Sequence, residues 1–146
     1  MKKLIVLSLF TAVMVIGGTL NPPMAIPAEP AIAKSAEEIV GTWVTNGKLS
    51  DPRNVYLRFD KDGTARQTYE VEKLDNEPLV TNSYEFKGAE ILITEISVAS
   101  DIPSCGKVVG HYEVQLLESG NIRIGRINEH CLMRAVGLEG EYQPVR

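Results

Sequence analysis

The sequence predicts an all-β protein, an eight-stranded antiparallel up-and-down barrel that carries one disulfide. Three observations support this fold class: short runs in which apolar and polar residues alternate, glycine-containing turns between those runs, and only two cysteines, Cys105 and Cys131. Alternation with period two is typical of strands that bury one face, whereas an amphipathic helix repeats every ~3.6 residues. The pattern contains no convincing amphipathic helix longer than two turns.

Residues 1–25 have the layout of a secretory signal peptide. Met1-Lys2-Lys3 is a basic start, and an apolar run from Leu4 to Ile16 follows it. A basic region followed by a short apolar region is the general design of such peptides. The run is too short to cross a bilayer of ~30 Å comfortably as a permanent helix, and an uncleaved membrane anchor is the alternative interpretation.

A disordered linker is predicted over residues 26–36, and the barrel domain over residues 37–146. Four of the eight prolines fall between Asn21 and Lys34, and proline-rich segments favour extended, unpacked backbone. Small residues provide two candidate cleavage sites: the better small-x-small match is Ala31-Ile32-Ala33, as late as residue 33, and the weaker one ends at Ala25.

The charge balance bears on the class of partner. The chain has 15 basic and 19 acidic residues, and cleavage as late as Ala33 leaves 13 and 18 because Lys2, Lys3 and Glu29 are lost. A net negative surface repels phosphate backbones, which disfavours nucleic acid as a partner. No second segment resembles a membrane span. We expect a secreted or periplasmic monomer that does not insert into a membrane after signal cleavage.

The eight strands follow one another along the domain. Leu57 and Phe59 alternate with Tyr56 and Arg58, for example, which predicts one buried and one exposed face. The strand at 90–98 is rich in isoleucine, and its buried face is ambiguous. The predicted strands span residues 38–45, 55–59, 64–72, 80–86, 90–98, 108–116, 122–128 and 140–145.

The connections between strands sort into two kinds. Tight hairpin signals with glycine occur at 60–63, 87–88 and 118–121, whereas the connections at 46–54, 75–78, 99–106 and 129–139 are longer or less regular. If each strand pairs with the next, all tight turns fall at one end of the sheet and all longer connections at the other. This sorting supports a meander, and closing it into a barrel removes the exposed edge strands.

The two cysteines fit the same topology. Cys105 lies in the fifth connection and Cys131 in the seventh, and the meander places both at the end of the longer connections. We therefore predict a disulfide between them, as exported proteins meet oxidising conditions. In the chain-entropy model, closing a loop of ~27 residues stabilises the fold by roughly 3–4 kcal/mol.

The motif Gly41-Thr42-Trp43 opens the first strand, ahead of seven more strands. In this respect the chain resembles the lipocalin and wider calycin group, whose first strand opens with Gly-x-Trp. The resemblance implies that Trp43 helps to close the narrow end of the barrel and that Arg134 or Arg146 packs over its ring. Other small barrels, including periplasmic inhibitors and avidin-like folds, stay open as alternatives. Residues 130–138 are expected to form a short helical lid.

The function predicted on this basis is binding of a small, apolar ligand that enters between the longer loops. An eight-stranded barrel is just wide enough to be filled by side chains or to hold one small ligand. Gly110, on the inward face, marks either space for that ligand or a bend in the strand. The candidate lining residues, each of which also suits plain core packing, are Phe59, Tyr69, Asn82, Tyr84, Phe86 and Tyr112, with Asn82 or Gln67 supplying polar specificity.

The alternative prediction is a module that binds another extracytoplasmic protein, or inhibits it, through the loops at 46–54 and 99–106, without a ligand cavity. Rigid β scaffolds often present recognition loops in this way. A purely structural role in an envelope assembly is a third possibility.

Catalysis, metal binding and cofactor binding are not predicted. Neither His111 nor His130 lies beside a recognised serine nucleophile motif, and the catalytic alternatives are an acid–base pair such as Glu95 and Glu113 or a reactive Cys131 thiol beside His130. The segment at 60–63 resembles part of a calcium loop but lacks the spaced glutamate, so a hairpin turn explains it better.

Overall fold

The computed structural model describes residues 28–45 and 53–146. Two short 3₁₀ turns, Ala36–Glu38 and Val71–Lys73, accompany the regular elements. The strands and the helix of the described residues are β1 (Ala31–Ile32), β2 (Gly41–Thr45), β3 (Val55–Phe59), β4 (Thr64–Thr68), β5 (Val80–Lys87), β6 (Glu90–Val98), β7 (Val109–Leu116), β8 (Ile122–Asn128), α1 (Leu132–Leu138) and β9 (Gly140–Pro144).

Strands β2 to β9 form a closed antiparallel barrel. Each strand pairs with the next along the chain, and β9 closes the barrel by pairing with β2, where Gln143 lies opposite Val44. The predicted eight-stranded up-and-down barrel is therefore confirmed. Closure gives each barrel strand a neighbour on both sides over at least part of its length, which pairs most of its backbone polar groups.

The tight turns lie together at one end of the barrel, which we call the narrow end because short connections close it. The backbone N–H of Asp60 donates to the Thr64 carbonyl. The Asp60 carbonyl in turn accepts a hydrogen bond from the N–H of Gly63, whose φ is +82°. The segment at 60–63 is thus the hairpin turn between β3 and β4, as predicted. A Cβ on Gly63 would lie 3.1 Å from the carbonyl oxygen of Tyr84, so both the positive φ and the close approach of backbone favour glycine here.

The segment before the barrel contributes a ninth strand. β1 pairs with β7 beside Gln115 and Leu116, the Ala33 amide donates to the Val114 carbonyl at 2.8 Å, and the Ala33 side chain is fully buried. The prediction of a disordered linker over 26–36 is therefore wrong from residue 31 onward. The physical reason is that β6 pairs only with the first half of β7, which leaves an edge for β1 to cover.

Two predicted strands are longer than the observed ones by three or more residues, and those at 108–116 and 140–145 are longer by one residue each. The strand predicted at 64–72 ends at Thr68 because the chain turns into the 3₁₀ segment Val71–Lys73. The strand predicted at 38–45 begins at Gly41, since Ala36–Glu38 forms a 3₁₀ turn at the narrow end.

The Trp43 side chain packs into the core near the narrow end. Its indole N–H donates to the Ile39 carbonyl at 2.8 Å, and Ile39 is fully buried. A buried indole N–H without a partner would cost free energy, so this bond fixes the ring toward the chain segment that enters the barrel.

Aromatic rings fill the narrow half of the barrel. The Phe59 and Tyr84 ring centroids are 5.1 Å apart, and those of Tyr84 and Phe86 are 6.4 Å apart, both edge to face. The Tyr84 hydroxyl donates to the Asp60 carbonyl at 2.7 Å. Burial raises the pKa of Tyr84 to about 12, as expected for a phenol held in its neutral form.

Two regions of interest lie outside the described residues: the predicted signal peptide at 1–25 and most of the predicted recognition loop, residues 46–52. Within 28–45 and 53–146, no helix combines the length and apolar character needed to cross a membrane.

Candidate ligand cavity at the loop end of the barrel

A cavity of about 420 Å³ opens at the end of the barrel that carries the longer connections. Its size falls within the range of ~300–1,000 Å³ that is usual for small-molecule sites. The wall is built by β3 to β6, by the segment after β6, and by α1. Its apolar lining includes Val55, Leu79, Val80, Val98, Ile102, Pro103, Met133 and Val136.

Asn82 is the most unusual polar residue in this lining. It lies on β5 opposite Ala65 of β4 and Glu95 of β6, and its relative exposure is 0%. Neither Nδ2 nor Oδ1 has a hydrogen-bond partner among the described residues. An unpaired buried amide costs roughly 1–3 kcal/mol, so such a group calls for an explanation in function.

Glu95 lies beside Asn82 on the same inward face. Its carboxylate accepts hydrogen bonds from the Ser104 hydroxyl at 2.5 Å and from the Cys105 amide at 2.7 Å. Burial by itself raises the pKa of Glu95, but these hydrogen bonds outweigh it and the pKa is lowered. Glu95 is therefore an ionised carboxylate that holds the segment after β6 against the cavity.

Helix α1 covers the loop end of the barrel, which confirms the expected short helix within 130–138. The Gln67 side-chain amide donates to the Gly137 carbonyl at 3.1 Å, and the Tyr142 hydroxyl lies 3.0 Å from the carbonyls of Gly137 and Leu138. These two side chains reach the last carbonyls of the helix, which have no partners within it. They hold α1 over the cavity.

A buried ion pair anchors the start of α1. Arg134 Nε donates to Glu129 at 2.6 Å, its Nη2 donates to Glu129 at 2.9 Å and to the Val108 carbonyl at 2.7 Å, and the Tyr112 hydroxyl donates to Glu129 at 2.6 Å. Burial by itself raises the pKa of Glu129, but the bonds from Arg134 and Tyr112 outweigh it and lower the pKa. Arg134 also lines the cavity, and its Nη1 has no partner in the described part of the chain.

The position of Arg134 corrects one expectation. Instead of packing over Trp43, its guanidinium is held by Glu129 at the loop end, whereas the Trp43 indole faces Ile39 toward the narrow end. The physical reason is the buried Glu129 carboxylate, which is a stronger partner for a guanidinium than an aromatic face.

The predicted disulfide between Cys105 and Cys131 is present, with Cα atoms 5.6 Å apart. It joins the segment after β6 to the residue that precedes α1, and Cys105 itself lines the cavity. The disulfide therefore links the two parts of the cavity wall that come from outside the sheet, which are the segment after β6 and α1.

Two of the six predicted ligand-binding residues, Tyr69 and Asn82, line the cavity, as does the predicted polar residue Gln67. The Arg53 guanidinium lies 3.7 Å from the centre of the Tyr69 ring. The other four predicted residues, Phe59, Tyr84, Phe86 and Tyr112, do not line this cavity but pack in the barrel core.

Sequence reasoning missed the cavity residues that come from outside the strands, chiefly Ile102, Pro103 and Met133. A signal for them exists in retrospect, because both cysteines flank these segments and the predicted disulfide brings them to the barrel mouth. Glu95 was considered only with Glu113, which lies on the outward face of β7 beside Gln115. The structure does not bring these two carboxylates together.

Another polar pair lies outside the cavity. His111 Nδ1 lies 3.0 Å from Glu90 on the barrel surface. Within 28–45 and 53–146, no group of three or more His, Cys, Asp or Glu side chains is arranged to hold a metal ion.

Gly110 makes room for the protein's own side chains. A Cβ on Gly110 would lie 2.8 Å from Tyr112 Cε2 and 2.9 Å from Glu129 Cδ. The space beside this glycine is thus occupied by the Glu129 carboxylate and not by a ligand.

Replacing Gly110 by alanine should lower the free energy of unfolding by about 1–3 kcal/mol, because the added methyl group displaces Glu129 from its partners. The measurement is urea unfolding. Gly125→Ala on neighbouring β8 is the matched control, since its Cβ meets only Glu113 at an ordinary 3.4 Å. If the two variants have the same free energy of unfolding, Glu129 moves aside for the added methyl group without loss of stability, and the prediction is wrong.

Comparison of the chain with protein-family models, with curated proteins and with solved structures finds no match. The cavity and its lining are therefore the basis for assigning a function.

Proposed function

We propose that this protein is an exported, lipocalin-like carrier or receptor that binds one small, largely apolar molecule in the loop-end cavity. The observation that carries the proposal is Asn82, a fully buried amide without a protein partner among the described residues, in the lining of an apolar cavity. Small-molecule sites are typically apolar with a few placed polar groups. The lipocalin-like relationship is supported by the Gly41-Thr42-Trp43 motif and by the barrel topology.

Export is supported by the basic and apolar start of the chain and by the disulfide, which is typical of oxidising compartments. The site ending at Ala25 is the favoured cleavage position. Cleavage after Ala33 would remove β1 together with a fully buried side chain.

Binding is favoured over catalysis by the state of the ionisable groups in the cavity. A general base works best with a pKa near the working pH, and burial usually tunes a carboxylate upward for that purpose. The pKa of Glu95 is lowered instead, and the Arg134 guanidinium is held by Glu129. These contacts support a role for both groups in shaping the cavity.

A second candidate is binding of another extracytoplasmic protein. Exposed apolar side chains occur at the loop-end halves of three neighbouring strands, namely Ile96 of β6, Val109 of β7 and Ile127 of β8. Contiguous exposed apolar surface often marks a contact site. This surface lies on the outside of the barrel, so the two candidates use different residues.

The test of the ligand proposal is binding of the neutral fluorescent dye N-phenylnaphthylamine. We expect the dye to brighten in the wild-type cavity and to bind at least tenfold more weakly to Val98→Trp, because the indole fills the lining position of Val98. The matched control is Ser97→Trp, whose side chain is exposed on the other face of β6, and it should bind as the wild type does.

Dye binding that is absent in the wild type, or unchanged in a folded Val98→Trp protein, contradicts the proposal. Circular dichroism of each variant establishes that the barrel is intact.

A further inference from the structure

The unpaired side chain of Asn82 determines which hydrogen-bonding groups a ligand in the cavity should carry. Its amide offers an N–H₂ donor and a C=O acceptor side by side, and neither is satisfied by the described residues. A second planar amide presents a complementary acceptor and donor at the same spacing, so both can be paired at once. Because the two amides pair in either orientation, the same demand holds whichever way the Asn82 amide is turned.

Other common polar groups satisfy Asn82 less well. A carboxylate only accepts hydrogen bonds, so it leaves the Asn82 oxygen unpaired. An ammonium group only donates, so it leaves the nitrogen unpaired. A hydroxyl offers both functions at a single oxygen and cannot span both Asn82 atoms in one plane. The remaining unpaired group would be costly in a buried, apolar setting.

The ionised carboxylate next to Asn82 argues against an anionic ligand. Glu95, directly across the strand pair, is ionised, and the Glu129 charge is matched by Arg134. Asp101 adds a further negative charge to the lining. The Arg53 guanidinium beside Tyr69 adds a positive charge to the wall, so it is the ionised Glu95 next to Asn82, and not the charge of the cavity as a whole, that disfavours an anionic head group there.

Arg134 supplies a second unsatisfied donor. Its Nη1 has no partner in the described part of the chain, although the residue is only 5% exposed. A neutral carbonyl oxygen, which has two lone pairs, suits an unpaired guanidinium N–H without adding a net charge next to Glu95.

We propose that the ligand carries an uncharged amide-type group, a carboxamide, lactam or urea, that pairs with Asn82, joined to an apolar body that packs against Leu79, Val80 and Val98. This inference rests on the proposed function, since it presumes that the cavity holds a ligand.

The test is displacement of N-phenylnaphthylamine by four probes that share one alkyl chain: decanamide, decanoic acid, decanol and decylamine, at pH of about 7. Decanamide should bind roughly tenfold tighter than each of the other three, as expected when one buried hydrogen bond more is satisfied. In Asn82→Leu this preference should vanish, while decanol keeps its affinity.

The stability of the unliganded variant provides an independent readout. Asn82→Leu should unfold at higher urea concentration than the wild type, because the unpaired amide is removed. A purely structural asparagine would shift the midpoint the other way. The control is Ser83→Leu, which adds the same apolar side chain on the exposed face of β5.

Each outcome bears on one of the two proposals. If the dye binds but decanoic acid, decanol or decylamine competes as well as decanamide, the amide inference is overturned and ligand binding stands. The amide inference is likewise overturned if decanamide does not displace the dye, or if Asn82→Leu keeps the preference. If the dye does not bind the wild type at all, the proposed function itself fails.

Discussion

Replacing Arg134 by methionine should lower the free energy of unfolding by about 3–5 kcal/mol at neutral pH, because it leaves a charged Glu129 buried without its partner. The Glu129 side chain is fully buried, and the Arg134 side chain is only 2% exposed. Water therefore cannot replace the lost ion pair cheaply. Urea unfolding of the variant and the wild type measures the difference.

The pH dependence of this difference has a definite sign. In the wild type the pKa of Glu129 lies below its ordinary value of 4.5, so its contribution to stability is present above 4.5 and is lost as pH falls toward the lowered pKa. In Arg134→Met, burial of the unpaired carboxylate raises that pKa above 4.5. The folded variant then takes up a proton as pH falls, and its stability rises. The gap between the two proteins should narrow on acidification.

A double variant separates the ion pair from packing. Glu129→Leu combined with Arg134→Met removes both charges, and it should be more stable than Arg134→Met alone, since replacing both members of a buried pair by apolar residues is often nearly neutral. An Arg134→Met protein as stable as the wild type, or a gap that stays constant with pH, would refute this account of the network.

Removing the disulfide should produce the second large effect. Replacing both Cys105 and Cys131 by serine should lower the free energy of unfolding by roughly 3.5 kcal/mol, the chain-entropy value for this loop, in which the cysteines are 26 positions apart. The double substitution avoids a lone reactive thiol. Urea unfolding of the variant and of the reduced wild type should give the same loss.

The same change should weaken binding in the cavity. The bond links the segment that carries Ile102 and Pro103 to the start of α1, and both contribute lining residues. Without the link, each wall must be ordered separately when a ligand binds. Dye affinity should fall several-fold in the double-serine variant. Unchanged stability after complete reduction, verified by thiol titration, would show that the loop gains nothing from the cross-link.

The sequence predicted those features of the fold that depend on local patterns. Alternation identified the inward faces of β3 and β5, and the glycine turns identified which ends of the strands meet. Because sequential pairing follows from short turns, barrel closure and the disulfide followed from the same information. The strand at 90–98 resisted prediction because Glu95 faces inward while Ile96 faces water, the reverse of the usual preference.

The features that were not predictable depend on contacts between distant segments. Glu95 faces inward because Ser104 and Cys105 supply hydrogen bonds from a later loop. β1 forms because the second half of β7 has an edge that β6 does not cover. The cavity exists where α1 and the segment after β6 cover the barrel mouth. The alternation of apolar and polar residues therefore identified Asn82 and Tyr69 as inward-facing, but it could not distinguish these cavity residues from Phe59 and Tyr84, which pack in the core.

The central claim is that the loop-end cavity holds one small molecule, and native mass spectrometry of protein purified from the organism that produces it tests this most directly. The wild type should appear with one bound small molecule that collisional activation removes, whereas Val98→Trp from the same source should appear at the mass of the polypeptide alone. A wild-type protein found only at the mass of the bare polypeptide, or a Val98→Trp protein carrying the same molecule, would contradict the account.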